Sequence, residues 1–197
     1  MSNSFLAFNN FIKEFVEISD AQIEDLNKKC EVVTFSKGHI LMKAGEVQNS
    51  IFFLVKGFIE NYIDTDGGDT KIYNFRMENM TVTGYASYNY NDQLRAIVNV
   101  RCLEDCIMIK VPFVVVRFVI ENIKFGERLG RLIAENHIIE MVNYVVQRDT
   151  LSILDRYDSL EKLFPNIHQR IPQHKVASYL GITPVHLSNI KKKRQTN

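Results

Sequence analysis

The sequence is short of cysteine, proline and long apolar runs, and each shortage excludes something. Three cysteines in 197 residues, Cys30, Cys102 and Cys106, leave an odd thiol, which argues against a disulfide framework and for a reducing compartment. Cys102 and Cys106 lack the ligand count and spacing of a zinc or iron–sulfur site and read as buried thiols beside a strand turn. The longest apolar stretch, 111–120, contains Pro112 and Arg117 and falls far short of the roughly 30 Å of a bilayer interior. Met1-Ser2-Asn3-Ser4 gives no basic start, and Lys13 and Glu14 interrupt the apolar residues that follow, so no secretory leader is expected. The expectation is a soluble cytoplasmic protein with no membrane partner. His39, His137, His168, His174 and His186 are scattered, and the sequence has no GxSxG, P-loop or GxGxxG. Arg131, Glu135 and Glu140 read as surface charges. No catalytic constellation, metal set or cofactor is therefore expected, and the chain is not read as an enzyme.

What is present is a core and a charge asymmetry. Hydrophobic residues make up 46% and charged residues 24%, enough apolar matter to fold and too little charge for wholesale disorder. The net charge of +1 hides a basic end: 156–197 carries eight basic and two acidic residues, while 1–155 carries 16 and 21. A compact basic module on an acidic body is the footprint of a polyanion partner.

Three regions follow along the chain. Residues 4–29 read as short helices, with Ser19-Asp20 as an N-terminal cap. Glycine-punctuated strands are expected at 31–35, 40–43, 51–55, 58–64, 71–75, 95–102 and 106–111, with a hairpin turn at Asp66-Gly67-Gly68. Many short strands imply a jelly-roll barrel over residues 1–120. Residues 121–155 contain no proline and only an early glycine pair, Gly126 and Gly130, predicting one helix of roughly 30 residues. Leu132, Ile139, Val146 and Ile153 recur at heptad spacing, with Leu129, Asn136, Asn143 and Thr150 in the complementary seam. One face of this helix can pack on the barrel and the other on a second copy, which predicts a parallel homodimer.

The third region, 156–197, holds the most specific signal. In Gln173–Lys192 (QHKVASYLGITPVHLSNIKK), small Ala177 permits close helix approach and Gly181 supplies a positive φ. Val176, Leu180, Ile182, Leu187 and Ile190 form a shared inner face. Thr183 caps the second helix, and Pro184 occupies its first turn. This is the pattern of a helix-turn-helix, whose second helix enters the major groove of double-stranded DNA. Thr183, Val185, His186, Ser188, Asn189 and Lys192 point outward to read bases. Gln173, Lys175, Lys191, Lys193 and Arg194 are placed to reach phosphates.

The stretch RIPQHKVASYLGITPVHLSNIKKK, with RYDSLEKLFPNIHQ before it, resembles the C-terminal end of Crp/Fnr-family transcription regulators, especially of the Bacteroidetes type. The glycines of Lys37-Gly38-His39, Ala44-Gly45-Glu46 and Val55-Lys56-Gly57 fall where that family's cyclic-nucleotide-binding barrel places them. The resemblance covers essentially the whole chain. It implies an α+β fold, with an N-terminal antiparallel jelly-roll barrel, a long dimerisation helix and a C-terminal helix-turn-helix, working as a homodimer on DNA. Two departures matter. In the phosphate cassette Gly84 and Arg95 hold matching positions, but Tyr85 stands where the family has Glu, and Ala96 where it has Ser or Thr. Cyclic AMP is therefore not expected to bind, whereas Arg95, with Asn136 from the long helix, leaves room for another small-molecule effector. Arg95 reads equally as a solvated strand arginine. In the reading helix, Val185 and Asn189 replace the family's Glu and Arg, so its usual cytosine and guanine contacts are gone. The alternative is an effector-sensing or interaction protein whose reading helix has degenerated.

Overall fold

The computed structural model describes residues 4–83 and 95–195, the last three of these as backbone only. Helix α1 (Ser4–Lys13) is followed by α2 (Asp20–Lys28), which opens on a capping box: Ser19 Oγ accepts from Gln22 N at 3.3 Å, and Gln22 Oε1 accepts from Ser19 N at 2.9 Å. Eight strands come next: β1 (Glu31–Phe35), β2 (Ile40–Met42), β3 (Ser50–Lys56), β4 (Ile59–Asp64), β5 (Thr70–Arg76), β6 (Thr81–Val82), β7 (Asn99–Cys102) and β8 (Cys106–Pro112). They form two antiparallel four-stranded sheets, ordered β1-β8-β3-β6 and β2-β7-β4-β5. The hairpin at Gly67-Gly68 closes with Thr65 N donating to Asp69 O at 2.9 Å.

Met42, Leu54, Ile59, Val100, Cys102 and Met108 fill the space between the sheets. Both outer faces are covered as well. Phe53, Ile109 and Val111 lie under α1 and the helices after β8, while Phe58, Tyr62, Ile72 and Phe75 lie under the C-terminal helices. Covering both faces explains why β3 reads Ile-Phe-Phe-Leu-Val without alternation, since inward and outward side chains are equally dry. Cys102 and Cys106 are buried, reduced thiols flanking the β7–β8 turn.

The expected single helix over 121–155 is instead parts of three. Helix α3 (Phe113–Asn122) begins directly after β8, inside the β-branched run that patterning left unassigned. The chain then breaks at Phe125, which is left-handed at φ 66, and α4 (Gly126–Thr150) packs back against α3. The glycine pair makes that packing possible. A Cβ on residue 126 would sit 1.9 Å from Val119 O, and one on residue 130 would sit 3.1 Å from Ile120 Cδ1. At the far end, Ser152 caps a new helix, α5 (Ile153–Leu163), by accepting from Asp155 N at 3.2 Å. Ile153, expected in the heptad seam, therefore belongs to α5. Leu129 is also removed from the seam, because it is buried against α1 and α3. Short helix α6 (Ile167–Arg170), α7 (Gln173–Leu180) and α8 (Pro184–Gln195) complete the chain.

Candidate nucleic-acid interface and the cavity behind it

Helices α7 and α8 meet as the residue pattern requires. Gly181 is left-handed at φ 71, and Ile182 N donates back to Ala177 O at 3.0 Å, closing α7. Thr183 Oγ1 accepts from His186 N at 3.2 Å and starts α8. Val176, Ala177, Leu180 and Leu187 are buried between the helices, while Ile182 and Ile190 are half-buried. Thr183, Val185, His186, Ser188, Asn189 and Lys192 all face solvent, Val185 at 72% exposure. Lys191 Nζ donates to Gln173 Oε1 at 3.3 Å, which joins the start of α7 to the basic end of α8 on one surface. The side chain of Lys193 lies outside the described residues.

Lys175 is elsewhere. Its ammonium donates to Glu60 Oε1 at 2.7 Å, and Arg101 contacts the same carboxylate oxygen. Glu60 is fully buried, so Lys175 is held inward as the counter-ion of a barrel acid. Arg170 does the same on a larger scale, forking onto Glu78 at 2.8 and 2.9 Å and onto Glu104 at 2.7 and 2.9 Å while lying over the Phe58 ring. These hydrogen bonds drive the Arg170 pKa upward. Ser178 Oγ donates to Thr70 O at 3.0 Å and accepts from Ile72 N at 3.3 Å, satisfying the edge strand β5. Part of the charge asymmetry is thus spent within the molecule. Sequence reasoning missed this because Glu60, Glu78 and Glu104 are remote in the chain.

A cavity of about 670 Å³ lies behind this module, between the β4–β5 face, α4, α5 and α7. Its floor is Asn61, Tyr73, Asn74 and Arg76, its side His137, Glu140 and Tyr144, and its far wall includes Ser159, Leu163 and Tyr179. Strand β5 carries an extra residue there, since Asn61 pairs with Asn74 but Tyr62 with Ile72. Such a bulge re-aims side chains. Buried Arg76 donates to Glu140 Oε2 at 2.6 Å and lies 2.8 Å from His137 Nδ1. Burial first, and the Arg76 charge second, push the His137 pKa down to about 4, so its imidazole is neutral and Nδ1 accepts from Arg76. Burial raises the phenols of Tyr73 and Tyr179 to about 12.

Of the expected effector residues, Arg95, Ala96 and Asn136 do not line this cavity. Arg95 is exposed and donates to Gly45 O at 2.9 Å, and Ala96 is buried in backbone pairing with Gly45 and Glu46. Asn136 faces solvent, and its neighbour His137 turns inward instead. Gly84 and Tyr85 lie outside the described residues. On α4 the inward stripe from residue 137 onward is polar. The outward surface holds Ile138, Ile139, Val142, Val145 and Val146, each at least 41% exposed, and Met141, 62% exposed, reaches the cavity edge as well. Asn143 belongs to the solvent-exposed side as well as the cavity rim, and Leu132 is half-buried.

Residues 32–122 match the cyclic nucleotide-binding domain family. No curated protein matches the sequence. Among solved structures, a Crp/Fnr-family transcriptional regulator from Eubacterium rectale superposes with a TM-score of 0.71 at 14% identity, covering 99% of this chain and 88% of that one. The c-di-GMP-responsive global regulator CLP of Xanthomonas campestris gives 0.67 at 12% identity over 90% and 92% of the two chains. FixK2 of Bradyrhizobium japonicum gives 0.69 at 11% identity over 85% of each.

Proposed function

We propose that this protein is a homodimeric, sequence-specific DNA-binding regulator that does not respond to cyclic AMP; the match of residues 32–122 to the cyclic nucleotide-binding domain family and the fold shared with Crp/Fnr-family regulators support this reading. One observation carries the DNA-binding reading: the outward face of α8, from Thr183 to Asn189, is exposed in full and leads into the Lys191–Arg194 cluster, whereas Tyr157, Phe164, Val176, Leu180 and Leu187 of the same module are buried in the core shared with the barrel. A second copy suits the outward surface of α4, whose six exposed apolar side chains are more than a solvated helix carries. Against cyclic AMP stand the Tyr85 and Ala96 replacements and the engagement of Arg95 with a backbone carbonyl.

The chemistry divides between two sets of residues. Lys191, Lys192 and Lys193 supply counter-ion release on any duplex, and Gln173 joins them at the start of α7. Val185 suits a thymine methyl and Asn189 suits an adenine edge, so the half-site should be richer in A·T pairs than one read by Glu and Arg. The test is fluorescence anisotropy on genomic fragments across a salt series. Selective binding with a steep salt slope is expected, with the protein bound as a dimer on a two-fold-related site. Equal affinity for all fragments would overturn the sequence-specific reading.

A further inference from the structure

The cavity between the barrel, α4 and the DNA-binding module has chemistry unlike that required by a nucleotide phosphate. Its volume of about 670 Å³ accommodates a small organic molecule. An anion would need a cation inside the cavity, and the guanidinium there is committed: Arg76 to Glu140 and His137, while Arg95 donates to Gly45 O away from it and Lys162, which also lines the cavity, is solvent-exposed at its edge. The Glu140 carboxylate would repel a phosphate in addition. What the cavity offers instead is unpartnered acceptors beside flat rings. Asn61 is nine-tenths buried and lines the floor, yet its Oδ1 has no hydrogen-bond partner among the described residues, and neither has Thr83 Oγ1 on the same lining. A buried acceptor left unpaired costs about 1–3 kcal/mol, which a ligand donor would recover. Tyr73, Tyr144 and Tyr179 surround the space, with the Tyr144 and Tyr179 ring centroids 5.5 Å apart.

We propose that this cavity binds an uncharged, planar aromatic heterocycle with a ring N–H donor, which lies among the three tyrosines and donates to Asn61 Oδ1. The site joins the barrel to the C-terminal helices. Tyr179 belongs to α7, the first helix of the helix-turn-helix, and Ser159 and Leu163 to α5, so the ligand touches the DNA-binding module directly and not only through the cassette. The consequence for DNA rests on the reading given under Proposed function, whereas the binding itself does not.

Indole and 1-methylindole are the probes, differing only in whether a ring N–H is present. In calorimetric titration of the full-length protein without DNA, indole should bind saturably in the millimolar range or tighter. N-methylation should weaken it about tenfold, the value of one hydrogen bond to a buried acceptor. Asn61→Leu should abolish that difference while retaining the ring contacts, and cyclic AMP should not displace indole. Absence of saturable binding, equal affinity of the wild type for the two indoles, or displacement by cyclic AMP would each overturn the proposal. The wild-type comparison stands even if Asn61→Leu fails to fold. Because no DNA is present in these titrations, failure of the DNA-binding reading would leave their outcome unchanged.

Discussion

At His137, burial and a neighbouring guanidinium act on one imidazole in the same direction. The ring lies between Arg76 and Thr81, with Glu140 as the counter-charge, and its pKa falls to about 4 from an ordinary value near 6.5. The unfolded chain therefore takes up a proton that the folded chain refuses. Stability is therefore undiminished by this group above about pH 6.5 and declines as pH falls, with about 3 kcal/mol lost by pH 4. Urea unfolding between pH 7 and 4 should show this decline, and His137→Gln should flatten it. At Asn189 the expectation concerns bases. Asn189→Ala should relax preference at one position of the site by about 1–3 kcal/mol, with other positions unchanged in competitive binding. Loss spread evenly over all sequences would make Asn189 a backbone contact instead.

From residue 137 onward helix α4 is apolar outward and polar inward, the reverse of a helix that serves one chain. The inward polarity is that of the cavity, and the outward surface is exposed among the described residues. Ile139 and Val146 are 55% and 50% exposed, so replacing both with Asp should leave the subunit folded. The same pair would bury unpaired charge at a two-fold contact, and sedimentation should report monomers. The α3–α4 junction makes a separate demand. Gly126→Ala would drive a methyl group into Val119 O, and the clash requires either a shifted helix or a cost of several kcal/mol, readable as a lowered urea midpoint.

Across the whole molecule, the C-terminal helical module and the barrel share one apolar core running from Phe58 and Phe75 through Phe164 to Val176 and Leu187. Charge pairs reinforce it at Glu60, Glu78 and Glu104. The basic residues of the C-terminal module therefore divide into two functional groups. Lys191→Ala should reduce the salt slope of DNA binding by about one counter-ion while leaving stability intact. Lys175→Ala should do the opposite, because it withdraws a counter-ion from buried Glu60. It should lower the urea midpoint, by up to about 3 kcal/mol in stability, and leave the salt slope nearly unchanged.

Much of this was legible in the chain because it depends on neighbours in sequence. Seven of the eight described strands (β6 went unread, and the strand expected over 95–102 forms only at Asn99–Cys102), the Ser19 cap, the Gly181 turn, the Thr183-Pro184 helix start and the inner face of the helix-turn-helix are set by local periodicity and backbone preference. The order of barrel, helices and helix-turn-helix followed from the same signals. Tertiary structure decided what depends on partners far apart in sequence. The apolar 113–122 segment becomes helix because β8 ends and α4 folds over it. Gly126 then looks like a tolerated helix residue until Val119 O lies against it. Lys175 reads as a phosphate contact until Glu60, 115 positions earlier, takes its charge inward. The cavity follows the same logic. Arg76 and Tyr73 from β5, His137 from α4 and Tyr179 from α7 converge only through packing, so spacing along the chain carries no sign of them, whereas the cassette residues that spacing did indicate face elsewhere or lie outside the described residues.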